Sequence, residues 1–318
     1  MSAIPDHARI DTRAQFARTA TALLDERDDT ALVYAEISGQ FLDEAAWRHA
    51  HRVVNVGIRE QLMINVAAGM AMTGLRPIAH TFGSFLVERA FEQIKLGFGH
   101  QDVAGVLVGT GGSYDVSAGG RTHQAPGDVA LIGTLPEWTI AVPGHAGEVD
   151  AAIREGLLRG QRTYVRVESA QNARAHPRSG TGWVPLRAGR GGVVCAVGPV
   201  LEDVLAATAD LDVSVLYTSR VRPFDAAGLA RAARTSAADV VIVEPYLAGT
   251  SAAQACAALA DVPHRLLCLG TRPAEVRRYG SPADHRRLHG LDAAGIAASV
   301  RGFLGGSGAQ GPATQAVG

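Results

Sequence analysis

Apolar residues alternate along the chain between short continuous runs and helically spaced patterns. In the first half, the runs that predict buried strands lie at 30–37, 51–57, 76–82, 103–109, 138–144 and 162–169. The patterns that predict helices lie at 11–27, 58–73, 86–99 and 146–158. Strands alternating with helices predict a mostly parallel sheet covered on both faces. In such sheets, functional residues gather in the loops after the carboxyl ends of the strands.

A second alternation of the same kind follows a break in the pattern. Residues 173–188 lose periodicity and gain Pro, Gly and Arg, which is typical of a linker. We therefore predict an α/β protein with two doubly wound, mostly parallel-sheet domains, at 1–172 and 189–305. The last residues, 306–318, are rich in Gly, Ser, Ala, Pro and Gln and predict a disordered tail.

Composition narrows the class of protein. Hydrophobic residues make up 47% of the 318 residues and charged residues 19%, so a well-buried core is expected. A net charge of −1 argues against a nucleic-acid or anionic-membrane partner. Cys195, Cys256 and Cys268 lack metal-ligand spacing, which favours reduced thiols. Since the sequence has no signal core and no apolar run of roughly eighteen residues, we expect a cytoplasmic protein.

Three segments carry a family resemblance. They are "VGIREQLMINVAAGMAMTG" at 56–74, "HTFGSF" at 80–85 and "GGRTHQAPGDVALIGTLP" at 119–136. In this order they resemble the C-terminal part of the transketolase family, whose members depend on thiamine diphosphate. The resemblance extends from about residue 10 to 305 and implies a pyrimidine-binding domain followed by a transketolase C-terminal-like domain.

The resemblance also implies a partner. A single-chain transketolase has a preceding domain that binds the diphosphate and Mg²⁺ through a GDG motif and a following Asn, and this sequence contains no such motif. We therefore expect one half of a split enzyme, with a separately encoded N-terminal subunit that binds the Mg²⁺. Thiamine diphosphate would be shared between the two subunits in a dimer of heterodimers, and no metal ligand is expected in this chain.

Glu60 is the main catalytic candidate. A glutamate at a helix start commonly offsets the helix dipole, and the residue alone indicates no more. By the resemblance, it is the acid that hydrogen-bonds the cofactor's aminopyrimidine ring and supports its tautomer shift. Phe82 and Phe85 match residues that flank that ring, although core packing is the usual role of such phenylalanines. Glu36 matches an acidic family position near the cofactor. An exposed carboxylate at a strand end, without a role at the cofactor, is an equally good interpretation.

His123 matches the family histidine that contacts the substrate, and as a catalytic residue it would donate to a developing oxyanion and move protons near neutral pH. A lone loop histidine is otherwise usually solvated. Gln124, in the same motif, is assigned to the substrate site with it. Arg13 matches one family arginine, and Arg166 is a nearby alternative.

Departures from the family pattern affect the expected donor. The family has an Asp that contacts a hydroxyl group of ketose donors, and the matching position here is Gly119. The family positions that contact the sugar phosphate fall near Gly111, Ser169 and Gln40. Losing polar contacts lowers discrimination for the substrate that used them. We therefore expect a donor other than an ordinary pentose phosphate: a simpler 2-oxo compound such as pyruvate, or an unusual ketose.

The predicted activity is transfer of a two-carbon ketol or acyl unit to an aldehyde-type acceptor, with formation of a carbon–carbon bond. Two alternatives are the beta subunit of a 2-oxoacid dehydrogenase and a pyruvate condensation like that of deoxyxylulose-phosphate synthase. A non-catalytic assembly subunit is a further alternative, and retention of both Glu60 and His123 argues against it.

Overall fold

The structure of the protein is a computed structural model that describes residues 10–176 and 179–306. Apart from Gly306, the predicted disordered tail lies outside these residues. Within them the chain forms twelve strands: β1 (Thr30–Tyr34), β2 (Val53–Asn55), β3 (Arg76–Phe82), β4 (Gly105–Thr110), β5 (Thr139–Ala141), β6 (Arg162–Val167), β7 (Val184–Arg187), β8 (Val193–Val197), β9 (Ser214–Thr218), β10 (Arg220–Arg222), β11 (Asp239–Leu247) and β12 (Arg265–Thr271).

The strands form two sheets, as the sequence predicts. The first has the order β10-β5-β6-β4-β3-β1-β2, and the second has the order β12-β11-β8-β9-β7. All neighbours are parallel except β10 against β5 and β7 against β9. The predicted α/β class with mostly parallel sheets is therefore confirmed.

The helices alternate with these strands. They are α1 (Thr12–Glu26), α2 (Gly39–Arg48), α3 (Glu60–Met72), α4 (Phe91–Gln93), α5 (Asp128–Ile132), α6 (Ala146–Arg159), α7 (Leu201–Ala207), α8 (Ala226–Thr235), α9 (Ala252–Ala258), α10 (Pro282–His289) and α11 (Ala293–Gly305). Asp11 caps α1, because its side chain accepts hydrogen bonds from the first-turn amides of Arg13 and Ala14. α4 lies between two π-helical segments, Ser84–Arg89 and Ile94–His100, in the region predicted as one helix at 86–99.

The two halves are more interleaved than the predicted domain bounds suggest. β7 lies inside the predicted linker and joins the second sheet, while β10, from the second half, pairs with β5 of the first sheet. One hydrophobic cluster contains residues of both halves, among them Ile140 on β5 and Ile242 on β11. The two halves therefore share part of one hydrophobic core.

Each face of the first sheet is covered by its own packed layer. One contains α3 and the π-helical segments, with Met63 and Phe98 fully buried. The other contains α1 and α6, with Phe16 and Ile153 fully buried. In the part of the chain that the structure describes, no helix is long and apolar enough to cross a membrane.

Candidate functional site

The candidate site lies at the carboxyl edge of the first sheet. Glu36 follows β1, Phe82 ends β3, the glycine-rich loop after β4 contains His123, and Ser169 follows β6. These four strands are neighbours and parallel, so their carboxyl ends meet at one edge. The sheet order itself therefore assembles residues that are far apart in sequence.

Glu60 is a buried carboxylate at the first residue of α3. Its side chain is 2% exposed, and its Oε2 accepts a hydrogen bond of 2.7 Å from Nη1 of Arg89. The guanidinium carbon of Arg89 lies 4.0 Å from the centre of the Phe85 ring. Among the described residues, Oε1 of Glu60 has no hydrogen-bond partner. One carboxylate oxygen is thus held in place while the other is available to a ligand.

Three aromatic rings form a cluster beside this carboxylate. The Phe82 and Phe85 ring centres lie 5.9 Å apart, and the His123 ring centre lies 5.6 Å from Phe82 and 5.0 Å from Phe85. All three pairs are in edge-to-face geometry. The Thr122 hydroxyl is 2.9 Å from Nδ1 of His123. The structure therefore brings Phe82, Phe85 and His123 together, with Arg89 linking Phe85 to Glu60.

Gln124 and Glu36 differ in their surroundings. Gln124 is fully buried, and within residues 10–176 and 179–306 neither atom of its side-chain amide has a hydrogen-bond partner. Glu36 is exposed, has a φ of 64°, and accepts a hydrogen bond of 3.1 Å from the Asn55 side chain. Gln124 therefore presents unpaired polar atoms in the interior, whereas Glu36 lies on the surface next to β2.

A groove beside the aromatic cluster collects the positions that the resemblance links to substrate. Arg13, Gln40, Gly111 and Ser169 line it, together with Phe82 and Asp115. Asp115 accepts hydrogen bonds from the amide and the hydroxyl of Ser169, and burial raises the pKa of its carboxyl group. Ser169 is therefore engaged by a carboxylate of this chain.

Arg166, the alternative substrate arginine, is fully buried. Its Nε donates to Asp128 at 2.8 Å, and its guanidinium forms an ion pair with Glu168. Tyr164 donates a second hydrogen bond to Asp128 at 2.7 Å. Because Arg166 is paired with both neighbouring carboxylates, this placement favours a structural role under the glycine-rich loop.

The second half of the chain holds that loop from the other side. The Tyr114 ring stacks on His285 and His289 of α10, with centre distances of 4.5 and 4.8 Å. The Ser113 hydroxyl donates to the carbonyl of Pro245. α10 therefore fixes the loop on which His123 lies.

Three residues near the site were missed by the sequence analysis. Arg89 is four residues after Phe85, a spacing that could have indicated a contact on one helical face. His80 and Ser38 carry no such signal. His80 is fully buried within the motif "HTFGSF", and burial lowers its pKa to about 3.

Comparisons with known proteins agree with this architecture. Residues 8–174 match the family described as "Transketolase, pyrimidine binding domain". The chain is 48% identical over 292 residues to an "Uncharacterized 33.6 kDa protein in fasciation locus" of Rhodococcoides fascians, with 91% of this chain and 94% of that protein covered. It is 30% identical over 274 residues to a 1-deoxy-D-xylulose-5-phosphate synthase of Thioalkalivibrio sulfidiphilus, covering 84% of this chain and 42% of the synthase.

A solved structure is similar over almost the whole chain. It is described as "Split gene transketolase, inactive beta4 tetramer" and superposes with a TM-score of 0.80 at 23% identity. The superposition covers 94% of this chain and 99% of that one. At this identity the likeness shows that the fold is shared.

Proposed function

Because the chain belongs to the family of transketolase pyrimidine-binding domains, we propose that it is the pyrimidine-binding subunit of a split, thiamine-diphosphate-dependent enzyme. The enzyme transfers a two-carbon ketol or acyl unit from a ketose or 2-oxo donor to an aldehyde-type acceptor. The observation that carries the proposal is the buried Glu60 carboxylate, with one free oxygen, linked by Arg89 to the cluster of Phe82, Phe85 and His123.

The residues present fit an aminopyrimidine. A flat heteroaromatic ring packs well against phenylalanine rings, and a buried carboxyl group can share a proton with a ring nitrogen. Thiamine diphosphate supplies the electron sink for cleaving and forming the carbon–carbon bond. With the cofactor bound, Oε1 of Glu60 would form a hydrogen bond with the aminopyrimidine ring, Phe82 and Phe85 would orient that ring, and His123 would donate a proton to the substrate oxygen.

The proposed assembly has two kinds of subunit. A separately encoded N-terminal subunit binds the diphosphate and Mg²⁺, and two copies of each chain form a dimer of heterodimers in the cytoplasm. The shared fold with a chain described as a split-gene transketolase supports this division. Glu36 is proposed to approach the cofactor at the junction with the partner, because it is exposed at the same sheet edge.

The donor is proposed to differ from an ordinary pentose phosphate. Gly111 and Gly119 offer no side chain where the family pattern has polar ones, and Ser169 is already bonded to Asp115. Arg13 and Gln40 remain available in the groove, and Gln124 contributes its unpaired amide to the substrate site. A small 2-oxo donor or an unphosphorylated ketose suits this set of groups.

A pyruvate condensation like that of 1-deoxy-D-xylulose-5-phosphate synthase is the second candidate. The observation that favours it is the identity of 29–30% to several such synthases over more than 80% of this chain. The chain spans less than half the length of these relatives, so the remaining part would reside in the partner.

The experiment combines the full chain with the product of a neighbouring gene that encodes the GDG and Asn motif. Glu60→Gln keeps the shape of the side chain and removes the ionisable carboxyl group, so turnover is expected to fall at least about a hundredfold. Glu44→Gln, at a side chain that is 77% exposed on α2, is the matched control and should leave turnover unchanged. Unchanged turnover in Glu60→Gln would contradict the catalytic proposal. Pyruvate and xylulose 5-phosphate, tested as donors, distinguish the donor classes.

A further inference from the structure

A buried chain of hydrogen bonds lies behind Arg13. Nε of Arg13 donates to Oγ of Ser38 at 2.6 Å, Oγ of Ser38 lies 2.7 Å from Nε2 of His80, and Nδ1 of His80 lies 2.9 Å from the carbonyl oxygen of Val108. Ser38 is 3% exposed and His80 is fully buried, with its ring packed 4.0 Å from Phe16. The chain therefore connects a groove residue to the interior of the sheet.

The chemistry of the partners fixes the position of each proton. The Val108 carbonyl can only accept, so Nδ1 of His80 donates to it. Burial lowers the pKa of His80 to about 3, so the ring is neutral near pH 7 and Nε2 is an acceptor. The Ser38 hydroxyl gives its proton to Nε2, and its oxygen is left to accept from Arg13. A neutral histidine with its proton on Nδ1 satisfies every contact of the chain.

The charge of Arg13 is not neutralised by this arrangement. Arg13 is half-buried, and within the part of the chain that the structure describes it forms no ion pair with a carboxylate. Nη1 and Nη2 are likewise without hydrogen-bond partners among the described residues, and the guanidinium carbon lies 5.8 Å from the centre of the Phe41 ring. A partly desolvated guanidinium with free donors favours binding of an anion.

The backbone around Ser38 is held in an uncommon conformation. Ser38 has a φ of 66° and Glu36 a φ of 64°, both in the left-handed region. Residues other than glycine are strained in this region, and such conformations cluster at functional sites. Here the left-handed turn is what places the Ser38 hydroxyl between Arg13 and His80.

We propose that Ser38 and His80 are positioning residues that hold the Arg13 guanidinium, through its Nε, toward an anionic group of the substrate. The anionic group is a carboxylate or a phosphate, since both accept two parallel hydrogen bonds from Nη1 and Nη2. The inference rests on the proposed function, because the groove that contains Arg13 is the proposed substrate site.

The test observes the Arg13 Nε–H directly in the full-length chain by ¹H–¹⁵N NMR, with the signal assigned by its loss in Arg13→Lys. Sodium acetate and inorganic phosphate, added separately at constant ionic strength, distinguish carboxylate from phosphate recognition. We expect the Arg13 signal to shift saturably with at least one anion. Arg18→Gln, at an exposed position of the same helix, should leave that titration unchanged.

Two kinds of variant test the positioning role. Ser38→Gly removes the hydroxyl group, and this variant should fold because glycine adopts a positive φ readily. Ser38→Ala removes the same group, while alanine, like serine, disfavours a positive φ. His80→Asn keeps a donor for Val108 and loses the acceptor for Ser38, whereas His80→Gln can supply that acceptor. We expect anion affinity to fall about tenfold in Ser38→Gly and His80→Asn, with partial rescue in His80→Gln.

The outcomes separate this inference from the proposed function. In the reconstituted enzyme, Ser38→Gly should raise KM for the donor about tenfold and leave kcat within twofold, as expected for lost ground-state binding. Anion affinity within twofold of the parent in both Ser38→Gly and His80→Asn would overturn the positioning role. The backbone amides of the groove report anion affinity in both the parent and Arg13→Lys. Equal affinities in the two proteins would overturn the anion site. Neither result would change the Glu60→Gln outcome, which tests the function itself.

Discussion

Arg89 donates a hydrogen bond of 2.7 Å to Glu60 while its guanidinium lies 4.0 Å above the Phe85 ring. One side chain thus contacts both the acid and an aromatic ring of the proposed cofactor site. The contact depends on the π-helical segment that contains Phe85 and Arg89, and π-helical turns occur frequently at functional sites.

The first prediction concerns the stability of this contact. Arg89→Met would leave the Glu60 carboxylate, 2% exposed, without its cation, and we expect a loss of about 2 kcal/mol in the free energy of unfolding. This loss is smaller than that expected for a fully buried ion pair because the Arg89 side chain is 39% exposed. Adding Glu60→Gln should recover about 1 kcal/mol, measured by urea denaturation as a double-mutant cycle. Arg59→Met, at the neighbouring exposed arginine, is the control, and equal losses in Arg59→Met and Arg89→Met would contradict the prediction.

Elements with strong periodicity were predictable from the sequence. β3 was predicted at 76–82 and occupies those residues, and α1 was predicted to within one residue at each end. β7 and β10 were missed because they are short antiparallel strands at sheet edges, where an alternating pattern has too few residues to show. α10 was missed because most of its residues are polar and its buried positions are histidines.

The motifs selected candidate site residues whose roles stay predictions. The resemblance selected Glu60 and His123; in the structure His123 belongs to the aromatic cluster, and Arg89 links the Phe85 ring of that cluster to Glu60. The partners Ser38 and His80 were not predictable, because tertiary contacts of α1 with the loop after β1 and with β3 decide which groups they meet. The spacing of Phe85 and Arg89 could indicate their contact, but not the pairing of Arg89 with Glu60 on α3. Likewise, no local pattern distinguishes Arg13, which lies in the groove, from Arg166, which lies in the interior.

The second prediction concerns pH. Burial lowers the pKa of His80 to about 3 and that of His289 to about 4, whereas an unfolded histidine titrates near 6.5. The unfolded chain therefore binds more protons as the pH falls below about 6.5, and the folded state loses stability. At pH 5 His80 is expected to contribute a loss of about 2 kcal/mol in the free energy of unfolding relative to pH 8, and His289, which is less deeply buried, a smaller loss.

Urea denaturation at pH 8, 7, 6 and 5 measures this loss. As the pH falls, the free energy of unfolding should decrease more steeply in the parent than in His80→Gln and His289→Gln. The difference between parent and variant isolates the contribution of each histidine from that of the carboxyl groups that titrate in the same pH range. If the free energy of unfolding depends on pH in the same way in the parent and both variants, the two histidines do not cause the loss of stability in acid.

The third prediction separates structure from substrate binding at Arg166. Arg166→Met would leave Asp128 and Glu168 buried without a cation, so we expect a loss of at least about 3 kcal/mol in the free energy of unfolding. Arg162→Met, at the start of the same strand and paired with exposed Glu137, should cost less than about 1 kcal/mol. If Arg166→Met stayed as stable as Arg162→Met but raised KM for the donor, Arg166 would be a substrate residue after all.

The fourth prediction concerns Gly119, which stands where the family pattern has Asp. A Cβ at this position would lie 2.7 Å from Cγ and 2.8 Å from Nδ1 of His123, closer than real Cβ contacts allow. The His123 ring therefore occupies the space that a side chain at 119 would need. Gly119→Ala should displace the ring and lower turnover of the reconstituted enzyme about a hundredfold, since a displacement of about 1 Å can have that effect.

Gly127→Ala is the matched control, because a Cβ there meets no atom within 4 Å. The His123 ring protons, shifted by the nearby Phe82 and Phe85 rings, report the displacement by NMR independently of activity. Gly119→Asp tests the link to the donor: because the new carboxylate displaces His123, it should not restore turnover of hydroxylated ketose donors. A gain of activity on xylulose 5-phosphate in Gly119→Asp would show instead that the glycine alone sets the choice of donor.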